Sequence, residues 1–299
     1  MARRESARGP AAFEQYYGTL YADRWGRLRE ALLTSEPGAA FADRLEKPYR
    51  LDPASVLAAA ALDVCPGHRV LDLCAAPGGK SLVLASMLGE TGLEGGELVC
   101  NERSATRRAR LHRVLDEHLP PSIRRLARVT GHDAARWALH EPAAYDRVLA
   151  DVPCSSEQHV LRSAGALAEW SPSRTRRLAA GAYAIGCAAV DAVRPGGRVV
   201  YATCALSPLE NDGVVTRLIG RGRGTLQAAD TPRFIACAVE RHRDLLPHEY
   251  ASGSIPGEPT QYGVMILPDR DHGMGPMYVA VLERIGNSAS ASCLSGDGG

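Results

Sequence analysis

The stretch VLDLCAAPGGKS (residues 70–81) decides the fold. It starts as a short apolar run, Val70 to Leu73, of the kind that forms a buried strand. It then turns through Pro77, Gly78 and Gly79 and opens at Lys80 into a run to Leu88 that reads as a helix. A strand, a glycine-containing turn and a helix N-terminus make a nucleotide-type cradle, and backbone can approach a ligand closely at Gly78 and Gly79 because no Cβ intervenes. The spacing is neither G-x-x-x-x-G-K-[ST] nor G-x-G-x-x-G, so a dinucleotide is disfavoured.

Outward from this stretch the pattern alternates. Strands are expected at Arg69–Leu73, Leu98–Cys100, Leu126–Thr130, Arg147–Ala150 and Arg198–Ala202. Helices are expected at Lys80–Leu88, Ser104–Glu117 and Arg174–Val193, the last with apolar positions Leu178, Ala182, Ile185, Ala189 and Val193. Such alternation argues for an α/β fold, a doubly wound parallel sheet. Val264–Leu267 and Met277–Leu282 read as a terminal antiparallel hairpin across a turn-rich segment. Upstream, Phe13, Tyr16, Tyr17, Leu20, Trp25, Leu28 and Leu32 recur at helical spacing, and Pro53–Ala61 reads as a helix capped by Asp52. The domains expected are an N-terminal helical extension (1–48), a catalytic domain (49–286) and a disordered Ser/Gly/Ala-rich tail (287–299). Arg221 to Tyr262 reads as a loop-rich insertion.

With 45% apolar residues, the 299-residue chain can bury a sizeable core. No apolar run reaches the length of a membrane span, and nothing apolar follows the basic N-terminus, so neither a membrane location nor a secretory signal is expected. A cytoplasmic setting is the expectation, or a mitochondrial one if the source is eukaryotic. The eight cysteines include no C-x-x-C pair, so no metal is expected; they suggest a reducing compartment. Net charge is +1, but it is unevenly spread. Residues 103–128 hold eight arginines against Asp116 and Glu117, and residues 162–177 hold four against Glu169. Such stretches are either solvated helix faces or phosphate contacts.

Chemistry-bearing residues fall at strand ends. Asn101-Glu102 ends the second strand, where an acid suits ribose hydroxyls; Asp133, after the third, can accept from an adenine amino group. Asp151-Val152-Pro153-Cys154 follows the fourth strand and Thr203-Cys204 the fifth. Adjacent strands would bring both thiols beside the cofactor loop. Two thiols and a carboxyl suit cytosine methylation. Carbon 5 is a poor nucleophile until a thiolate adds to carbon 6, and Asp151 is the candidate to hydrogen-bond the ring nitrogen and exocyclic amine. The attacking thiol needs help to ionise, and a helix beginning near Ser207 is expected to supply it through its dipole. Position alone leaves open which thiol attacks.

These motifs resemble the Sun/Nop family of RNA cytosine-5 methyltransferases. The resemblance rests on RLDPASVLAAAAL (50–62), VLDLCAAPGGKS (70–81), CNERSATRRARL (100–111), DRVLADVPCSS (146–156), RPGGRVVYATCALSPLEND (194–212) and GPMYVAVLER (275–284). It implies a Rossmann-like class I methyltransferase with a seven-stranded sheet, and S-adenosylmethionine as cofactor. It assigns attack on the base to Cys204 and adduct breakdown to Cys154, with Lys80 and Asp151 near the reacting groups. It places the cofactor on Cys74, Ala75, Ala76, Pro77, Gly78, Gly79, Lys80, Glu102, Arg107, Asp133 and Asp151. DVPCSSEQHVL (151–161), GPMYVAVL (275–282) and the entry segment FEQYYGTLYADRWGRLREALL (13–33) resemble the branch of the mitochondrial ribosomal-RNA enzyme. Small-subunit ribosomal RNA, free or in an assembling subunit, is thus the expected partner. No RNA-binding module is recognisable beside the core, which leaves room for a protein partner in targeting. Departures are mild: Glu210-Asn211-Asp212 stands for Glu-Asn-Glu, and Ala205 follows Cys204 where serine is common.

Transfer RNA is the alternative substrate. A DNA methyltransferase would attack from the Pro-Cys cysteine and carry an F-x-G-x-G turn, which is not seen. A non-catalytic ribosome-assembly factor has no need of an intact cofactor loop and two thiols. A small-molecule or protein methyltransferase has no use for the thiol pair.

Overall fold

The computed structural model describes residues 8–36, 38–89, 95–250 and 254–286. The expected tail, 287–299, lies outside them. Two helices come first, α1 (Gly9–Tyr21) and α2 (Trp25–Thr34). A hairpin, β1 (Ala39–Phe41) and β2 (Tyr49–Leu51), and then α3 (Pro53–Ala60) lead to the alternating part. This runs β3 (Arg69–Asp72), α4 (Gly79–Leu88), β4 (Glu97–Asn101), α5 (Ala105–His118), α6 (Pro121–Arg124), β5 (Ala127–Thr130), β6 (Tyr145–Asp151), α7 (Glu157–Arg162), α8 (Ala164–Glu169), α9 (Pro172–Ala192) and β7 (Val193–Thr203). The chain continues with α10 (Asp212–Gly222), β8 (Leu226–Ala228), α11 (Thr231–Arg241), β9 (Glu258–Pro259), β10 (Val264–Ile266) and β11 (Met277–Arg284).

The main sheet runs β5-β4-β3-β6-β7-β11-β10-β9, with β8 paired to β11. Strands β5, β4, β3, β6 and β7 are parallel; β11 and β10 add antiparallel. These are the seven expected strands. Two short edge strands raise the count to nine. Both of them, β8 and β9, and helix α11 come from the stretch expected to be loop-rich. Asp230 caps α11 through the Arg233 N–H at 3.2 Å, and Phe234, Ile235, Ala238 and Val239 form its buried stripe.

Successive residues of each strand face opposite sides, which explains two cores. Val70, Leu98, Val200 and Val279 point to one, under α3, α4 and α11. Leu71, Val99, Val148 and Tyr201 point to the other, under α9 and α10. Phe13, Tyr17, Trp25, Leu28 and Leu32 of the first two helices join this second core, beside Trp170 and Leu206. Each such side chain contributes about 1.5–3 kcal/mol on burial, so the expected extension is packed as an integral layer. The boundary expected after residue 48 falls inside the β1–β2 pairing, where Ala39 partners Leu51.

Chain connections leave β3 toward β4 on one side and reach β6 on the other. That is a topological switch point, and it opens a crevice at the carboxyl ends of β3 and β6.

Candidate active site

A cavity of about 300 Å³ fills this crevice, lined by the 74–77 loop, Gly79 and Lys80, with Asp72, Asp151, Ser55 and the β2 residues around it. Gly78 has φ +122°, which side-chain-bearing residues rarely adopt. A Cβ there would lie 2.9 Å from Val114 Cγ1, and one at Gly79 would lie 2.8 Å from Leu51 Cδ1. Both glycines therefore admit neighbouring side chains, and the expectation of close backbone approach to a ligand has this second cause beside it.

Lys80 Nζ lies 2.8 Å from Asp151 Oδ2 and donates to Ser55 Oγ at 3.2 Å. Burial opposes the lysine's charge, but Asp151, with Cys204 and Asp72 behind it, holds it above the ordinary lysine value. Asp72, missed in the sequence, is 1% exposed. Burial pushes it up to about 7, even though Ser81 donates to its Oδ2 at 2.7 Å. Its Oδ1 is buried and has no partner, which marks a polar contact open to a ligand.

Strands β6 and β7 pair in parallel with Asp151 opposite Ala202, so their ends release Cys154 and Cys204 side by side. The two Sγ atoms are 3.1 Å apart, both half-buried. One thiol hydrogen serves one such contact. The bond from Cys154 holds Cys204 below the usual cysteine value despite burial, with Ser156 Oγ at 3.5 Å adding to it. The same bond, with burial, pushes Cys154 up. Of the two thiols, Cys204 is the one more easily ionised and Cys154 the one more firmly protonated. Ser156 sits at φ 53°, ψ 61°, a left-handed turn that leads from Cys154 into α7.

The expected helix dipole at Ser207 is not what activates Cys204. Helix α10 begins only at Asp212, because residues 207–211 form a turn whose side chains bond inward. Thr203 donates to Asn211 Oδ1 at 2.6 Å and Asn211 Nδ2 to the Ala205 carbonyl at 2.9 Å, which pins the backbone around Cys204. Asp212 instead accepts from Thr260, Tyr262 and Tyr278, away from the thiols.

Four expected cofactor residues, Gly78, Glu102, Arg107 and Asp133, are not among the cavity's lining residues. Glu102 is 6% exposed and accepts from the Ser104 N–H at 2.7 Å, with Arg107 Nη1 3.3 Å away. Arg107 also donates to the Ala76 carbonyl at 2.7 Å, so it links Glu102 to the loop. Asp133 caps a short 3-10 turn through the Ala135 N–H and faces Arg103 at 3.6 Å. Of the other strand-end cysteines, burial pushes both Cys74 and Cys100 up, so they stay neutral thiols. Among the described residues, no cluster of side chains could hold a metal.

In the first arginine segment, Arg103, Arg107, Arg108, Arg124 and Arg128 have partners within the fold; Arg110, Arg113 and Arg125 stand exposed. In the second, Arg162 holds the Leu32 and Ser35 carbonyls and Arg174 the Ser155 carbonyl, while Arg176 and Arg177 are exposed.

A doubly wound sheet with a cofactor crevice at its switch point, closed by an antiparallel pair, is a Rossmann-like methyltransferase fold. The chain belongs to the family described as 16S rRNA methyltransferase RsmB/F, whose model matches residues 59–282. It is 36% identical over 245 residues to the mitochondrial tRNA (cytosine(34)-C(5))-methyltransferase of Danio rerio, covering 81% of this chain and 62% of that one. It is also 36% identical over 242 residues to the 5-cytosine rRNA methyltransferase NSUN4 of Xenopus tropicalis, covering 79% and 56%. The chain thus spans somewhat over half the length of these curated relatives. Among solved structures, that of PH0851 superposes with TM-score 0.72 at 18% identity, covering 92% of this chain and 66% of that one. NSun6 from Pyrococcus horikoshii with SFG gives TM-score 0.61 at 21% identity, covering 83% and 55%. Both likenesses concern the fold.

Proposed function

We propose that the protein methylates carbon 5 of a cytosine in RNA, with S-adenosylmethionine as cofactor and small-subunit ribosomal RNA as substrate. The observation that carries this is the thiol pair, 3.1 Å apart, beside the Lys80–Asp151 ion pair at the end of the cofactor cavity. Neither a small-molecule nor a protein methyltransferase needs two thiols there.

The cavity suits the cofactor, since the unpartnered Asp72 oxygen and the 74–77 backbone offer polar contacts. When bound, the cofactor supplies an electrophilic methyl group. In this reading the chain's own residues divide the work. Cys204, whose ionisation the contact with Cys154 favours, adds as thiolate to carbon 6 and raises the electron density at carbon 5. Asp151 hydrogen-bonds the ring nitrogen and exocyclic amine as charge develops, and Lys80 fixes its orientation. Once carbon 5 carries the methyl, a base takes its proton, the bond from carbon 6 to Cys204 breaks and the thiolate leaves, with Cys154 assisting this breakdown. Glu102 and Arg107 form an outer contact for the ribose, and Asp133 one for the adenine. A base stacked in a helix must be flipped or single-stranded to enter, and the exposed Arg176 and Arg177 suit phosphate contacts near Ser155.

The names of the family and of the NSUN4 relative support ribosomal RNA. The name of the Danio rerio relative favours a second reading, transfer RNA, and a mitochondrial setting if the source is eukaryotic. The test is transfer of labelled methyl to unmodified small-subunit RNA, small-subunit particles and transfer RNA. The proposal expects label in the ribosomal RNA, free or in particles. Label in transfer RNA alone supports the second reading. Binding without transfer to any of the three supports a non-catalytic assembly factor. Restoration of transfer by a cell extract would point to a targeting partner.

A further inference from the structure

Behind the two thiols lies a group of polar side chains that this mechanism does not use. Glu157 and Glu210 are both 0% exposed, as is Ser155 between them. They come from three places: Ser155 from the Cys154 turn, Glu157 from the start of α7, and Glu210 from the turn after Cys204. The Ser155 N–H donates to Glu210 Oε1 at 2.8 Å, and Ser155 Oγ lies 2.5 Å from Glu210 Oε2. Ser155 Oγ also makes a short contact with Glu157 Oε1. Tyr17, from α1, donates to the same Glu157 oxygen, and the Leu206 N–H donates to Glu157 Oε2 at 2.9 Å.

Counting protons fixes the charge state. A serine hydroxyl has one hydrogen, so it donates to one carboxyl and must accept from the other. Glu157 already receives two other donors, one on each oxygen, as a carboxylate does. Glu210 receives one, from Ser155 N, and its second oxygen faces only Ser155 Oγ. The proton therefore sits on Glu210 Oε2, which donates to Ser155 Oγ, which donates to Glu157.

We infer that Glu210 and Glu157 are a buried acid pair sharing one proton through Ser155, and that they act as positioning residues which lock the Cys154 turn, the Cys204 turn and helix α1 together. This rests on the proposed role of the two thiols. Burial and the neighbouring Glu157 push Glu210 up to about 7, in agreement with the proton count. Facing the pair are Tyr17 and Tyr21 from the N-terminal segment and Tyr201 from β7, whose hydroxyl donates to the Glu210 carbonyl at 2.5 Å. Cys154 and Cys204 stand on the active-site side. Arg174, bonded to the Ser155 carbonyl, is the cation that the second charge would meet. Losing the proton puts two anions on one serine and loosens the lock.

The test compares Glu210→Gln with Glu157→Gln. A glutamine at 210 reproduces the neutral acid: its amide donates to Ser155 Oγ and its carbonyl accepts from Ser155 N. A glutamine at 157 would set its NH2 against Tyr17, Ser155 or Leu206, all of them donors. The expectation is that Glu210→Gln keeps the single-turnover rate within about threefold, while Glu157→Gln loses about tenfold or more with RNA affinity unchanged. Melting temperature, read without RNA, should fall for wild type between about pH 5 and pH 7.5 and fall less for Glu210→Gln. If Glu157→Gln does not fold, Ser155→Ala takes its place, with an expected loss of about tenfold in rate. Tolerance of Glu157→Gln with damage from Glu210→Gln would overturn the proton's placement. Unchanged rates in both Glu157→Gln and Ser155→Ala would overturn the positioning role. A wild type inactive on every RNA, but with the melting pattern described, would count against the proposed function and leave the proton placement standing.

Discussion

One arginine adds a buried ion pair to the packing that holds the N-terminal helices to the sheet, and its removal gives a quantitative test of how they belong to the fold. Arg24, in the turn between α1 and α2, presents Nε and Nη2 to the two oxygens of Asp269, each at 2.8 Å, and Nη1 to Glu258 at 2.7 Å. The Asp269 side chain is 0% exposed and Arg24's 17%. Replacing Arg24 with glutamine leaves a buried carboxylate with Arg27 alone, at 3.2 Å and 61% exposed. Breaking a fully buried pair costs about 3–5 kcal/mol; with Arg27 still present, the expected loss is about 2–3 kcal/mol. Burial would raise Asp269, but Arg24 and then Arg27 outweigh it and hold it below the usual carboxylate range. A depressed carboxyl stabilises the fold above its unfolded value, about 4, and loses that contribution as pH falls through its folded value. The deficit of Arg24→Gln should therefore be full at about pH 7 and smaller at about pH 3. Urea denaturation followed by tryptophan fluorescence reads it, since Trp25 and Trp170 share the second core. A deficit under about 0.5 kcal/mol, or one that does not change with pH, would refute the reasoning. So would two transitions with the main one unshifted, because the helices would then be a separate unit.

Gly78→Ala should destabilise the protein by about 2–4 kcal/mol, since φ +122° and the 2.9 Å approach to Val114 both oppose a Cβ; urea melts measure it. Asp72→Asn should be more stable relative to wild type at about pH 8 than at about pH 5, by no more than about 4 kcal/mol. The sign follows from Asp72 being pushed up to about 7. A raised carboxyl stabilises the fold below its unfolded value and loses that contribution as pH rises through its folded value, and asparagine does not titrate; paired urea melts at the two pH values check it.

The parallel core was legible because each of its strands is a short apolar run ending in a turn former. The positions of Asp151, Cys154 and Cys204 followed from strand adjacency alone. Other parts depend on contacts that leave no local pattern. Tyr17 reads as one more apolar position on a helix, yet its hydroxyl reaches Glu157, 140 residues on. Glu210 and Asn211 read as helix-start residues, but they bond back to the two cysteine turns. Asp72 lies inside an apolar run, where its burial is visible and its unpartnered oxygen is not. Helix α11 did leave a signal, Asp230-Thr231-Pro232 ahead of an apolar stripe, obscured by the turn formers around it. Arginine clustering in 103–128 left solvated surface and phosphate contacts both open, and five of the eight arginines bind within the fold.

The central claim is a division of labour between two thiols 3.1 Å apart, Cys204 attacking and Cys154 assisting release. Trapping on RNA that carries 5-fluorocytosine tests it most directly, because the adduct cannot lose the group at carbon 5 and the enzyme stays attached. With S-adenosylmethionine present, wild type and Cys154→Ser should form the covalent complex and Cys204→Ser should not. Cys154→Ser should also accumulate it on ordinary RNA. A complex that survives in Cys204→Ser and vanishes in Cys154→Ser would contradict the account.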